Sequence, residues 1–156
     1  MDLRTRQAQL PSSNAAAYAP DTIYTATPMD QLLFDGTSEE FAWWSGLPIP
    51  YGLSVVVDLG LWVAWHPASG GGDAKWGFLV QSEGNGDSVP GASSSEATLV
   101  DTATGTTVVM SIIELAGAQI VPGELMQVRL ARKAADAADT LNAIDAVVLG
   151  AALLEL

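Results

Sequence analysis

Large apolar residues along this chain come in short runs with a period of two, the spacing of a strand that buries one face. In AKWGFLVQS (74–82), Trp76, Phe78 and Val80 share a face. In ELMQVRLARK (124–133), Met126, Val128 and Leu130 fall inward while Gln127 and Arg129 fall outward. Similar β-branched or aromatic runs occur at 22–27 (TIYTAT), 31–34, 39–44 (EEFAWW), 96–104, 106–115 and 147–156 (VVLGAALLEL). LSVVVDL (53–59) and LWVAW (61–65) read as one long strand bent at Gly60, since glycine inside a strand marks a bulge. Turn chemistry separates the runs: Asp35-Gly36, GLPIPYG, HPASGGGD, EGNGDSVPGASSS and Gly105. Eight or nine short strands without a long helical pattern predict an all-β, jelly-roll-like two-sheet β-sandwich over residues 22–156. An Ig-like strand order is the alternative.

Two segments fall outside this pattern. Residues 1–21 are rich in Ala, Ser, Gln, Asn and Pro and hold too little apolar surface to fold alone, which predicts an extended N-terminal arm. Between the last two strands runs KAADAADTLNAID, whose alanines favour one or two helical turns, with Asp139 or Asn142 as a cap. Asp136, Asp139, Asn142 and Asp145 recur every third residue and raise the question of calcium. A calcium loop needs about six to eight oxygens in a tight turn. No glycine here makes one. A short helical connector with no cofactor is the expectation.

Composition removes several function classes. The 156 residues carry 18 acidic and 6 basic side chains, a net charge of −12, with no basic residue between Arg6 and Lys75. Phosphate tracking needs clustered Lys and Arg, so neither nucleic acid nor an anionic membrane is an expected partner. The apolar stretch near LSVVVDLGLWVAW is too short and broken to span a bilayer, and the N-terminus has no signal-peptide core. The chain has no cysteine, which removes disulfides and thiolate chemistry. The sole histidine, His66, lacks a G-x-S-x-G partner, GGGDAK lacks the end of a phosphate loop, and the adjacent Glu39 and Glu40 point to opposite faces of a strand. No reaction is expected. The five tryptophans are more informative, because Trp43/Trp44 and Trp62/Trp65 are pairs of opposite parity. Each pair splits between the two faces of its strand, which puts some rings at an interface or on a binding surface.

FDGTSEEFAWWSGLPIPYG, WVAWHPASGGGDAKWGFLV and GELMQVRLARKAADAADTLNAIDAVVLGAALLEL together resemble a group of tailed-bacteriophage virion proteins, similar to jelly-roll capsid decoration (cement) proteins, over roughly residues 25–156. The most specific part is residues 124–150, and the terminal strand is more apolar than that group's ending. The resemblance implies a structural protein on the outer surface of a virion, assembled in the host cytoplasm, with the major capsid protein as partner. It implies a homo-oligomer, a trimer before a dimer. Arm residues Arg4, Arg6, Gln7, Gln9 and Leu10 would contact the capsid, and Trp43, Trp44, Trp62, Arg129 and Arg132 would line the oligomer interface. Related sandwiches at tail- or head-fibre tips offer the alternative, a domain that binds host surface glycan.

Overall fold

The computed structural model describes residues 1–3, 8–20, 30–84, 95–141 and 143–156. The expected strand at 22–27 lies outside the described residues, as do Arg4, Arg6, Gln7 and Asn142. Among the described residues there are ten strands: β1 (Asp2–Leu3), β2 (Ala17–Pro20), β3 (Asp30–Phe34), β4 (Glu39–Pro48), β5 (Val56–Pro67), β6 (Gly72–Glu83), β7 (Ala97–Ala103), β8 (Val109–Gln119), β9 (Leu125–Lys133) and β10 (Ala146–Glu155). They form an all-β, two-sheet sandwich. The larger sheet runs β2-β3-β10-β5-β8 with β1 also on β10, and the smaller runs β4-β9-β6-β7.

The alternation seen in the sequence is the alternation of the core. Leu59, Leu61, Val63 and Trp65 of β5 face Trp76, Phe78 and Val80 of β6 and Val128 and Leu130 of β9, all buried. Trp76 sits at the centre. The rings of Phe34 and Trp65 each meet it edge-on, at a centroid distance of 5.5 Å. One polar chain crosses the layer: Trp65 Nε1 donates to Ser111 Oγ at 3.0 Å, and Ser111 donates to Asp101 of the opposite sheet. β5 does pass through Gly60 as one strand, but the register shifts two residues earlier, between Val57 and Leu59. There the Asp58 carboxylate accepts the Gly117 N–H at 2.7 Å, which holds the bulge.

The connector between β9 and β10 is not helical. It folds as successive tight turns, with Asp136 N–H bonded to Lys133 O and Asp139 N–H to Asp136 O. Side chains take over the groups a helix would pair in series. Asp136 accepts from Ala138 N–H and from Lys75 Nζ, and Thr140 is laced to Asp73. Most of this follows from Arg132. Expected at a subunit interface, it is instead fully buried in the sandwich, because β9 turns it inward with Val128 and Leu130. Its Nε and Nη2 grip both oxygens of buried Asp139, at 3.1 and 2.9 Å. Its Nη1 donates to the carbonyls of Phe34, Asp35 and Ile144. Asp139 also accepts from Lys75 N–H, and Asp145 from Gly36 N–H. The carboxylates therefore point at separate partners, and the described residues contain no cluster of three His, Cys, Asp or Glu side chains that would hold a metal ion.

The described part of residues 1–21 is sewn onto the sandwich rather than held away from it. Leu3, Ala8 and Ala16 are buried, and Leu3 pairs with Ala151 of β10. Gln9 exchanges backbone hydrogen bonds with Trp43, and Phe41 N–H donates to Asn14 O. The edge of β4 supplies these partners, so a weakly apolar segment orders by completing a sheet. Composition alone does not register such edges.

Two outcomes test this account. Asp139→Ala strands the Arg132 charge in the interior and should cost about 3–5 kcal/mol in urea unfolding, whereas Arg132→Met combined with Asp139→Leu should recover only part of it, because the carbonyls of Phe34, Asp35 and Ile144 and the Lys75 N–H then lose their partners. The second concerns Glu40, whose carboxyl is raised above its ordinary 4.5 first by burial and then by the charges of Asp35 and Asp145, against the Asp35 N–H bond and Arg132. The folded state then binds this proton more tightly than the unfolded chain. Stability from this group rises as the pH falls toward 4.5 and declines above it. Glu40→Gln should remove that slope and be at least as stable at neutral pH, as read by melts across a pH series.

Candidate functional site

The smaller sheet turns a polar, aromatic face to solvent. Residues that pair across the strands share it: Trp43 with Arg129 and Leu79, Phe41 with Ala131 and Gly77, and Glu39 with Lys133. Gly77 lies at its centre. A side chain there would meet Glu96 Oε1 at 2.5 Å and Lys133 Cε at 3.1 Å, so this glycine leaves room for the charges that lie across it. Arg129 donates to Glu96 at 2.7 Å, and Lys133 bridges Glu96 and Glu39 at 2.7 and 2.8 Å. Burial opposes the charge on Lys133, but its hydrogen bonds to Glu39 and Glu96 win and raise its pKa above the ordinary value. The Arg129 guanidinium also sits 4.9 Å from the centre of the Phe41 ring and 5.5 Å from that of Trp43, within cation–π range.

Beside this network a shallow cleft of about 250 Å³ opens, lined by Gln9, Leu10, Pro11, Trp43, Ser45 and Gln127. Trp43 is the one aromatic residue of the lining, with the Arg129 guanidinium over its ring. Gln9, Ser45 and Gln127 supply amide and hydroxyl groups that both donate and accept. Ser45 Oγ donates to Gln9 Oε1 at 3.2 Å, which fixes one side of the cleft. Gln127 donates to Glu83, which links the cleft to a second groove of about 640 Å³ lined by Tyr51, Glu83, Glu124 and Leu125. Tyr51, 87% exposed, stands over it with its ring against Gly123, whose positive φ of 88° turns the chain beneath the ring.

The residues expected at an oligomer interface are thus dispersed. Trp44 is buried with Trp65 and Trp76, Arg132 holds the connector, and Trp62 lies half-buried on the opposite sheet. Trp43 and Arg129 do come together on one surface. Gln9 and Leu10, expected to reach for a capsid, form a wall of the same cleft. The outward register of Gln127 and Arg129 was legible in the strand pattern. Phe41, Ser45 and Glu96 reach the face through pairing between distant strands.

No family model matches the chain, and no curated protein matches it. Solved structures do. The chain is similar to the CBM22-1 xylan-binding domain from Paenibacillus barcinonensis, at 10% identity and a TM-score of 0.55 over 97% of this chain and 87% of that one. It is similar to the carbohydrate-binding module CBM36, in complex with calcium and xylotriose, at 12% identity and a TM-score of 0.52 over 99% of both. It also matches the arabinose-bound α-L-arabinofuranosidase MgGH51, at 12% identity and a TM-score of 0.55, but spans 24% of that chain. At such identities the likeness is one of fold: a jelly-roll-like β-sandwich.

The Glu96 network is partly exposed, and such ion pairs contribute roughly 0–1 kcal/mol each. Glu96→Gln should therefore leave the urea midpoint nearly unchanged. A loss as large as that expected for Asp139→Ala would mean that this face serves the fold.

Proposed function

We propose that this protein is a glycan-binding module, and that the Trp43 cleft on the smaller sheet holds a sugar ring of a neutral polysaccharide. The observation that carries this reading is the cleft's make-up: one aromatic residue, Trp43, together with Gln9, Ser45 and Gln127 around a shallow, open space. A pyranose presents a C–H face, which packs on an indole, and a rim of hydroxyls, which need partners that donate and accept. Both needs are met there. The volume lies below the roughly 300–1,000 Å³ of pockets for drug-sized ligands, so it suits one ring of a chain. Tyr51 offers a second platform farther along the same face, reached through Gln127 and Glu83. The fold likeness to carbohydrate-binding modules supports the reading independently.

Neutrality follows from charge. Arg129 and Lys133 are engaged by Glu96 and Glu39, and a chain of net charge −12 repels anionic sugars. The site binds without turnover. The resemblance to virion proteins fits this reading through its fibre-tip alternative, in which the same cleft meets host surface glycan. Capsid decoration is the weaker proposal. Residues 124–150, which carry that resemblance, build the internal Arg132 clasp, and Gln9, Asn14 and Ala16 of the arm's described part are bonded to β4.

Binding to a panel of neutral polysaccharides, by affinity electrophoresis and then calorimetry, tests the proposal. Trp43→Ala should weaken binding by about tenfold or more, as truncation of an aromatic anchor does. Gln127→Ala should weaken it less, and Trp62→Ala should leave it unchanged. A protein that ignores every neutral glycan, or a Trp43→Ala variant that binds as the wild type does, contradicts the assignment.

A further inference from the structure

The Trp43 cleft is flanked on two sides and continues on a third. Across the sheet lies the ion network of Arg129, Glu96, Lys133 and Glu39, whose charges already hold one another. On the opposite side lie Gln9, Leu10 and Pro11, and Gln9 is tied to the Trp43 backbone through its own N–H and C=O. Along β9 the outward positions before Arg129 are uncharged: Gln127, which lines the cleft, and Leu125, which lines the Tyr51 groove. Leu125 is exposed and pairs with exposed Pro48 on one side and with Glu83 on the other. Gln127 donates to Glu83, so one side chain touches both spaces. Trp43 pairs with Arg129 and Pro48 with Leu125, so four residues of β9, about 14 Å at about 3.4 Å each, separate the two rows. Tyr51 stands past the second row with its ring against Gly123, two residues farther along the chain from Leu125, and is 87% exposed.

We infer that the ligand is a linear stretch of neutral polysaccharide, at least three rings long, laid along β9 from the Trp43 cleft to Tyr51. The inference deepens the glycan reading and rests on it. A pyranose with its linkage is shorter than two residues of extended strand, about 6.8 Å. One ring therefore fills the cleft, a second lies over Gln127, and a third is needed to reach Tyr51. The side chains met on the way suit such a chain. Gln127 both donates and accepts, Leu125 and Pro48 present apolar surface to C–H faces, and the Glu83 and Glu124 carboxylates that line the groove accept hydroxyl hydrogens. The same carboxylates repel an acidic substituent, so the rings over the groove carry neither carboxyl nor sulfate. Tyr51 is then the residue that measures length. It lies beyond the reach of a disaccharide seated at Trp43, and it offers the third ring a large, rigid surface at low entropic cost.

Calorimetric titration with the di- and tetrasaccharides of linear β-glucan, β-mannan and β-galactan tests the inference. In the series that binds, affinity should rise about tenfold or more from disaccharide to tetrasaccharide, the contribution of one aromatic anchor. Tyr51→Ala should bring the ratio of those two affinities close to one with the melting temperature unchanged, since the side chain is exposed. Tyr51→Phe, which keeps the ring, should restore the ratio. Equal affinities for the two lengths, or a Tyr51→Ala variant that keeps the wild-type ratio, overturns this inference and leaves the Trp43 site standing. A protein that binds none of these sugars at either length, nor their parent polysaccharides, overturns the inference together with the glycan reading.

Discussion

The fold turns on one buried charge. Arg132 lies in the row of side chains that should be wholly apolar, and a guanidinium there is tolerable only if each of its donors finds an acceptor. It finds them in Asp139 and in the carbonyls of Phe34, Asp35 and Ile144. Those acceptors belong to the β3–β4 turn and the β9–β10 connector, so satisfying one residue of β9 fixes both connections at that end of the sandwich. The neighbouring carboxylates then fall into place. Asp145 holds Gly36, Asp136 holds Lys75, and Glu40 accepts the Asp35 N–H at 2.6 Å. A Cβ on Gly36 would lie 2.4 Å from the Ala143 carbonyl carbon, which shows how closely the two connections are drawn together.

With the ends fixed this way, the faces of the sheets are free to differ. The inner faces make one core around Trp76. The outer face of the smaller sheet carries Arg129, Glu96 and Lys133 over Gly77, with Trp43 and a polar cleft beside them. The outer face of the larger sheet carries Trp62, Met110 and Ile112, with Asp58 and Glu114 toward one end. Parity alone separates the two tryptophans' fates from those of their neighbours. Trp44 and Trp65 enter the core, while Trp43 and Trp62 go to opposite outer surfaces with different chemistries.

Much of this was readable from alternation. The inward rows of β6 and β9, the sandwich class and the split tryptophan pairs follow from the period of two, because strand side chains must alternate. What was not legible depended on long-range partners. Arg132 continues the inward row of Met126, Val128 and Leu130, yet arginine is rarely buried, and its acceptor Asp139 lies in a segment whose alanines suggested helix. The arm was judged by composition, and composition does not know that β4 offers a free edge to Gln9 and Asn14. The cleft was half visible. Trp43, Gln9 and Leu10 were singled out, but nothing in the sequence places Gln9 beside Trp43 and Gln127.

The central claim is that the Trp43 cleft is where this protein meets its ligand. The most direct measurement is a titration of uniformly labelled protein with a neutral oligosaccharide, following indole N–H and side-chain amide resonances by NMR. The account predicts shifts at the Trp43 indole and at the amides of Gln9 and Gln127, with Trp62 and the buried tryptophans unmoved. Shifts confined to Trp62 and its sheet, or no shift anywhere with the full panel of neutral sugars, would contradict it.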